Sequence, residues 1–307
     1  MEGYRVRPAT FDDVGPVAEM IADGDRHDYG EVTLSERDLV DFLNRPRIDI
    51  AKDTWVYEDA NGKPAAFGWV WVRTENEHAV VLGAVHPDHR GRGLGTAVAT
   101  VMEERTREIL AGRQSGTDAT ITSALAATDP TAHALLERLG YHEARTFWRM
   151  RRVFDGPVEV VSDPPGVVVR PADPAVDGPV LHDIVETAFR DHFRPRYEPY
   201  DEWLARNLRH DDLVWLLATA DGVPAGALTG SIEEGKGDVD QIGVLKEARR
   251  RGIAAQLLRK AFAIFADRGM NVVELDVDSE NATGATALYE SVGMSLALSY
   301  VFYDKKL

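Results

Sequence analysis

The chain has 307 residues, no cysteine and a net charge of −16. The missing cysteines exclude disulfides, thiolate metal sites and an acyl-cysteine intermediate, and the acidic balance argues against nucleic acid, whose phosphates need a basic face. With 44% apolar and 28% charged residues, and no apolar run near the roughly 18 residues that span a membrane, it reads as a two-domain globular protein of the cytoplasm.

From the N-terminus, Tyr4 to Arg7 reads as a short strand. Asp12 to Ala22 carries helical spacing through Val14, Val17, Ala18 and Ile21, and Ser35 to Leu43 is a second helix with a capping-type start. Strands follow at Thr54 to Tyr57, Ala65 to Val72 and Ala79 to Val85. A helix over Thr96 to Ala111, a strand over Ala119 to Leu125, a helix over Thr131 to Leu139 closed by Gly140, and a strand over Glu143 to Met150 complete the first half.

Asp155 to Gly166, rich in Gly and Pro, suits a linker. The order then repeats. Val167 to Val169 is a strand, and Val176 to Phe189 and Asp201 to Leu208 are helices. Strands are expected at Leu213 to Ala218, Ala225 to Ser231 and Asp238 to Val244, a long helix over Ala255 to Arg268, and a strand over Val272 to Val277. A helix over Ala282 to Ser291 and a strand over Leu298 to Tyr303 close the second half. The repeat extends to short motifs: Val6-Arg7-Pro8-Ala9 returns as Val169-Arg170-Pro171-Ala172. The pattern predicts an α/β fold of two tandem domains, residues 1–154 and 167–307 around a 155–166 linker, each a mixed, mostly antiparallel sheet flanked by helices.

Each half sets an Arg-x-x-Gly-x-Gly/Ala turn between a strand and the long helix. The first is Arg90-Gly91-Arg92-Gly93-Leu94-Gly95 and the second Arg249-Arg250-Arg251-Gly252-Ile253-Ala254. Such a turn aims backbone N–H groups at one spot, at the positive end of a helix, and cradles a pyrophosphate. The glycine spacing fails the dinucleotide fingerprint, and the lysine of a P-loop is missing. No pair among the nine histidines has zinc spacing with further ligands, so no metal is expected.

In these turns, and in Glu280-Asn281 to Gly293, the chain resembles the GNAT acetyltransferase superfamily, as two tandem copies covering nearly its whole length. The resemblance implies acetyl-CoA as cofactor and acetyl transfer to an amine. The implied cofactor contacts are Ile242, Gly243, Val244, Arg249 to Ala255 and Asn281 in the second copy, and Ala84, Val85 and Arg90 to Thr96 in the first. A small-molecule amine is the expected acceptor, with a protein amine or a regulatory CoA-binding role as alternatives; monomer and homodimer stay open.

The reaction needs a polarised carbonyl, a base for the ammonium and a proton for the departing sulfur. A backbone N–H near Val244 or Leu245 could serve the first. Asp238 and Asp240, two apart on one strand and so on one face, are candidate bases. The resemblance places Asp238 at the base position; a solvated strand edge is the competing reading. Tyr289 is the candidate general acid, against an ordinary core tyrosine. The first half carries Leu136 and Thr128 where the second has Tyr289 and Asn281, so it is expected to be structural or to bind cofactor without turnover. Phe189 to Trp203, with six aromatic rings including His192 and three arginines, is the expected acceptor-side wall, with helix packing as the alternative.

Overall fold

A computed structural model describes the chain outside residues 1–2, 46, 74–77, 113–118, 160, 191–196, 210–211, 234 and 281–283. It forms two compact units: Met1–Thr146 with Ser299–Leu307, and Phe147–Leu298.

The first unit contains β1 (Arg5–Arg7), α1 (Val14–Asp28), α2 (Glu36–Leu43), α3 (Ile50–Asp53), β2 (Thr54–Glu58), β3 (Pro64–Val72), β4 (His78–Val85), α4 (Leu94–Ala111), β5 (Thr120–Ala126) and α5 (Pro130–Arg138). Ser35 begins α2 with a capping box in which its side chain accepts from the Asp38 N–H. The strands run in chain order, β1 to β4 antiparallel and β5 parallel to β4. The alternation in β3 and β4 feeds two apolar layers. One packs under α4, around Val70, Ala79, Val98, Met102 and Ile121; the other lies under α1 and α2, around Val17, Ile21, Leu39, Phe67 and Trp69.

The second unit contains β7 (Val167–Pro171), α6 (Pro174–Phe189), α7 (Tyr200–Asn207), β8 (Leu213–Ala220), β9 (Val223–Glu233), β10 (Lys236–Val244), α8 (Ile253–Asp267), β11 (Val272–Asp278) and α9 (Ala285–Ser291). Again the pairs are antiparallel except β10 with β11. Leu257, Phe262 and Phe265 of α8 are fully buried against Val273 and Leu275, each such side chain contributing about 1.5–3 kcal/mol. Leu181, Val185 and Trp203 of α6 and α7 cover the other face.

The compact units do not follow a cut at the linker. β6 (His142–Val153) begins in the first unit, but its residues 147–153 pair with β11 in the second. β12 (Ser295–Lys306) begins in the second unit, but its residues 300–306 pair with β5 in the first. Each repeat gives its closing strand to the other sheet. A two-residue alternation satisfies either sheet equally, which is why the sequence pattern does not reveal the exchange.

The linker is also anchored. Gln256 Nε2 donates to the Val161 carbonyl at 2.6 Å, and Lys260 Nζ meets Asp163 at 2.8 Å. The repeated Val-Arg-Pro-Ala motif is a clamp in both copies. Arg7 grips Asp13 with two bonds of 2.7 and 2.6 Å, and Arg170 grips Asp177 with bonds of 2.8 and 2.7 Å, each tying a strand to the start of a helix.

A protease site introduced at Gly156–Val158 tests the exchange. After cleavage the two halves are expected to elute together at the undivided mass in gel filtration, since each holds a strand of the other. Separation without denaturant contradicts the exchange.

Candidate active site

The two arginine–glycine turns have one backbone conformation. After β10, a 3-10 turn (Lys246–Ala248) leads to Arg249 at φ −64°, ψ 159°, Arg250 at φ 64°, and Gly252 at φ 78°, ψ 5°. After β4, Pro87–His89 leads to Arg90 at φ −66°, ψ 159°, Gly91 at φ 73°, and Gly93 at φ 83°, ψ −2°. Left-handed geometry at Arg250 costs roughly 1–2 kcal/mol in a residue with a Cβ, a strain Gly91 avoids in the first copy.

Neither α4 nor α8 receives a side-chain cap, in contrast to the helices begun by Ser35, Asp129 and Asp173. Leu94 and Ile253 bury their side chains, so these positions offer only backbone N–H groups. Four of the five turn arginines are engaged within the protein. Arg249 Nε braces the Val244 carbonyl at 3.2 Å, and Arg90 Nε the Val85 carbonyl at 3.4 Å. Arg90 also holds Asp28 through two bonds of 2.8 and 2.7 Å. Arg92 Nη2 donates to the Asp88 carbonyl at 3.0 Å, and Arg251 pairs with Asp221 at 2.7 Å. Arg250 is exposed and has no ion pair to the described residues.

In each unit the central parallel pair comes apart just before the turn. The β10–β11 ladder consists of Gly237↔Val273 and Asp238↔Glu274, though β10 continues to Val244; the β4–β5 ladder ends at Val81↔Ser123. The gap opens at the carboxyl ends of the strands, where helix N-termini point in α/β sheets. The Leu245 N–H already donates to the Ala225 carbonyl at 2.9 Å, which removes it as a carbonyl-polarising donor. Alternation then turns the Val244 N–H away from β9, toward the gap. His86 and Ala65 repeat this arrangement at 3.0 Å, leaving Val85 as the counterpart of Val244.

A β-bulge distinguishes the second copy. On β10, Asp238 pairs with Ser231 and Gln241 with Thr229, so one residue is extra. A Cβ on Gly237 would meet the Phe265 ring of α8 at 2.6 Å, and Val239 is buried in the same layer, which puts Asp238 on the opposite face. Beyond the bulge, Gln241 accepts from Trp203 Nε1 at 2.7 Å on the α7 side, while Ile242 returns to the α8 layer. A Cβ on Gly243 would lie 2.9 Å from Ala188, so that glycine admits α6. The bulge interrupts the two-residue alternation expected to put Asp238 and Asp240 on one face. In β4 the register runs unbroken from Ala66↔Val85 to Val72↔Ala79. Ala79, the counterpart of Asp238 counted back from the turn arginine, is therefore buried under α4.

Burial first, then repulsion from Asp240 and Asp276, pushes the Asp238 carboxyl well above the usual carboxylate range; Arg149 opposes this. Asp240 is exposed, and desolvation by the surrounding protein pushes its carboxyl up to about 6, with Arg206 opposing. Tyr289 on α9 is 7% exposed, its hydroxyl makes no hydrogen bond to a described residue, and burial pushes it up to about 12. Leu136, its counterpart on α5, is buried in an apolar layer, and Thr128 Oγ1 donates to the Asp28 carbonyl at 2.6 Å. Asn281 lies outside the described residues.

Of the expected acceptor wall, His192, Phe193, Arg194 and Arg196 lie outside the described residues. Trp203 is fully buried and packs on Trp215 and His182, so it is a core residue; Tyr197 is exposed.

The site and the doubled fold define a tandem acyltransferase. The pattern of the Acetyltransferase (GNAT) family matches residues 179–294, and that of the Acetyltransferase (GNAT) domain matches residues 51–143. A mycothiol acetyltransferase of Salinispora arenicola is 31% identical over 237 residues, covering 72% of this chain and 71% of that protein. A GCN5-related N-acetyltransferase of Sphaerobacter thermophilus has 28% identity and a TM-score of 0.88, covering 100% of this chain and 96% of that one. A tandem GNAT protein from the clavulanic acid biosynthesis pathway shares the fold, with a TM-score of 0.78 at 17% identity and coverage of 99% and 98%. The chain belongs to the GNAT acetyltransferase family and is an N-acetyltransferase. No helix among the described residues is long and apolar enough to cross a membrane.

Raised carboxyls carry a stability consequence. A carboxyl whose folded pKa lies above its unfolded value binds more protons when folded, so stability falls as pH rises through that interval. Asp238→Asn is therefore expected to raise Tm at pH 7.5 by about 2 °C or more. The gain should shrink toward pH 4. A lower Tm at pH 7.5, measured by calorimetry, contradicts the assignment of strain to this carboxyl.

Proposed function

We propose that the second unit transfers an acetyl group from acetyl-CoA directly to the amine of a small molecule, while the first unit serves as scaffold or binds cofactor without turnover. Supporting this reading are the uncapped glycine turn before α8, the parallel β10–β11 ladder that ends at Asp238↔Glu274 while β10 runs on to Val244, and the raised carboxyls of Asp238 and Asp240 on that strand. In the first unit, Ala79 and Leu136 stand in place of Asp238 and Tyr289.

The cradle suits the cofactor's pyrophosphate. Gly252 has a left-handed φ of 78°, and the N–H groups that begin α8 receive no side-chain cap. Acetyl-CoA would supply an acetyl group activated as a thioester. Gly252 to Ala255 would bind its pyrophosphate, and the Val244 N–H would face the acetyl oxygen. Asp238, with Asp240 beside it, takes a proton from the acceptor ammonium, freeing the nitrogen lone pair. The Tyr289 hydroxyl gives its proton to the leaving sulfur. The absence of cysteine fits direct transfer with both substrates bound.

The small-molecule reading gains support from relatives whose names specify mycothiol. Amino sugars, mycothiol-related amines, amino acids and aminoglycosides form the panel to screen by CoA release. Acetylation of a protein lysine with none of that panel would favour the protein-amine alternative.

Tyr289→Phe keeps the ring and deletes the hydroxyl. It is expected to lower kcat at least about tenfold, at the low end of general acid catalysis, with acetyl-CoA affinity nearly unchanged. Full kcat under conditions where chemistry limits turnover makes Tyr289 a core residue only.

Gly252→Asp places a carboxylate on the cradle and should weaken acetyl-CoA binding more than about tenfold by calorimetry, the scale of one lost charge-assisted contact. Loss of turnover in a folded Gly93→Asp protein, with turnover kept in Gly252→Asp, reverses the roles of the two units.

A further inference from the structure

We propose that Arg149, on the strand segment that the first repeat contributes to the second unit, is a positioning residue: its grip on Asp276 holds a cation over β11 beside Asp238 and keeps that carboxylate able to accept a proton near neutral pH. The proposal rests on the reading of Asp238 as base.

The geometry comes from register. Asp238 of β10 pairs with Glu274 of β11, which pairs with Arg151 of β6; two residues on, Asp276 pairs with Arg149. Leu275 and Val277 belong to the α8 layer, so Glu274, Asp276, Arg149 and Arg151 share the opposite face with Asp238. Arg149 reaches across to Asp276 in a bidentate pair, with Nε–Oδ1 at 2.9 Å and Nη2–Oδ2 at 3.0 Å.

Among the described residues, other charges near Asp238 lie on β9, β11 and α7 and on β10 itself. On β11, Glu274 is held by Arg151 and by Lys236 of β10. Arg206 of α7 is held by Glu198 and acts on Asp240, as does Glu233 of β9. Asp240 and Asp276 push Asp238 upward together with Glu274, and Arg149 is the cation that opposes them. With Arg149 removed, Asp276 and Asp238 would face each other without that cation. Asp238 would stay protonated further into the neutral range, and a protonated carboxyl cannot take the acceptor's proton.

The pair matters because of where its members sit in the sequence. Asp276 and Asp238 belong to the second repeat, whereas Arg149 precedes the linker. The strand exchange would thus make the first repeat chemically necessary to the second unit's site, even with no turnover of its own.

Aspartate-selective carboxyl ¹³C NMR on the full-length chain, without ligand, reads the effect directly. The Asp238 signal is assigned by its loss in Asp238→Asn. Arg149→Gln is expected to raise the Asp238 midpoint by about one pH unit, the lower end of what a nearby charge does. Arg149→Lys, which keeps the charge, should leave it near wild type. Arg149→Gln combined with Asp276→Asn should bring it back down by removing the opposing charge as well. An Asp238 midpoint unmoved in a folded Arg149→Gln protein, or raised equally by Arg149→Lys, overturns the proposal. Turnover separates this from the base reading. If Asp238→Asn keeps the wild-type pH profile of kcat/KM with an amine of the panel, Asp238 is not the base, whatever the NMR midpoint does.

Discussion

The one extra residue in β10 is the constraint on which the chemistry proposed for the second unit depends. A regular strand would continue the alternation seen in β4, where the counterpart of Asp238 lies under the long helix. The bulge shifts the phase, so that Gly237 and Val239 pack on α8 while Asp238 faces away from it. It falls where the parallel ladder to β11 ends. One backbone irregularity thus turns Asp238 away from the long helix at the point where the ladder ends. The repulsion between Asp238 and Asp240, and their desolvation, is a stability cost of the kind that accompanies function.

The two units share a backbone plan and differ in the side chains that the proposed division of roles would need. Both keep the turn, the left-handed glycine before the helix, the brace from arginine to the strand-end carbonyl, and a strand-end N–H turned to the gap. These features follow from backbone geometry and persist while side chains change. What differs is the side chains around the gap. Leu136 replaces Tyr289, and Ala79 in an unbulged strand replaces Asp238. In the first unit Arg90 is also drawn into a bidentate pair with Asp28, which anchors the turn to the end of α1. Through the strand exchange, neither sheet is built from one repeat alone.

Much of this was legible in the residues. The turns are named by Arg90 to Gly95 and Arg249 to Ala254, because the left-handed backbone at Gly91, Gly93 and Gly252 favours glycine and leaves a sequence mark. The helix after each turn and the capping box at Ser35 likewise come from local patterns. The strand exchange was not legible, since Arg149 to Val153 alternate in the same way whichever sheet receives them. Nor was the bulge: the spacing of Asp238 and Asp240 suggested a shared face through regular alternation, whereas a bulge actually lies there. Trp203 illustrates the limit of composition, because an aromatic run beside arginines reads as a pocket wall until its ring is found fully buried. The family resemblance makes the turn arginines cofactor contacts; in the fold, most of them brace or pair within the protein.

A crystal structure of the full chain with a non-transferable acetyl-CoA analogue tests the central claim most directly. The account predicts the pyrophosphate on the Gly252 turn. It predicts the sulfur between β10 and β11 within about 3.5 Å of the Tyr289 hydroxyl, a hydrogen-bonding separation for sulfur, and the acetyl group beside the bulge. An analogue whose sulfur lies only in the β4–β5 gap, or on the second turn but away from Tyr289, would contradict it.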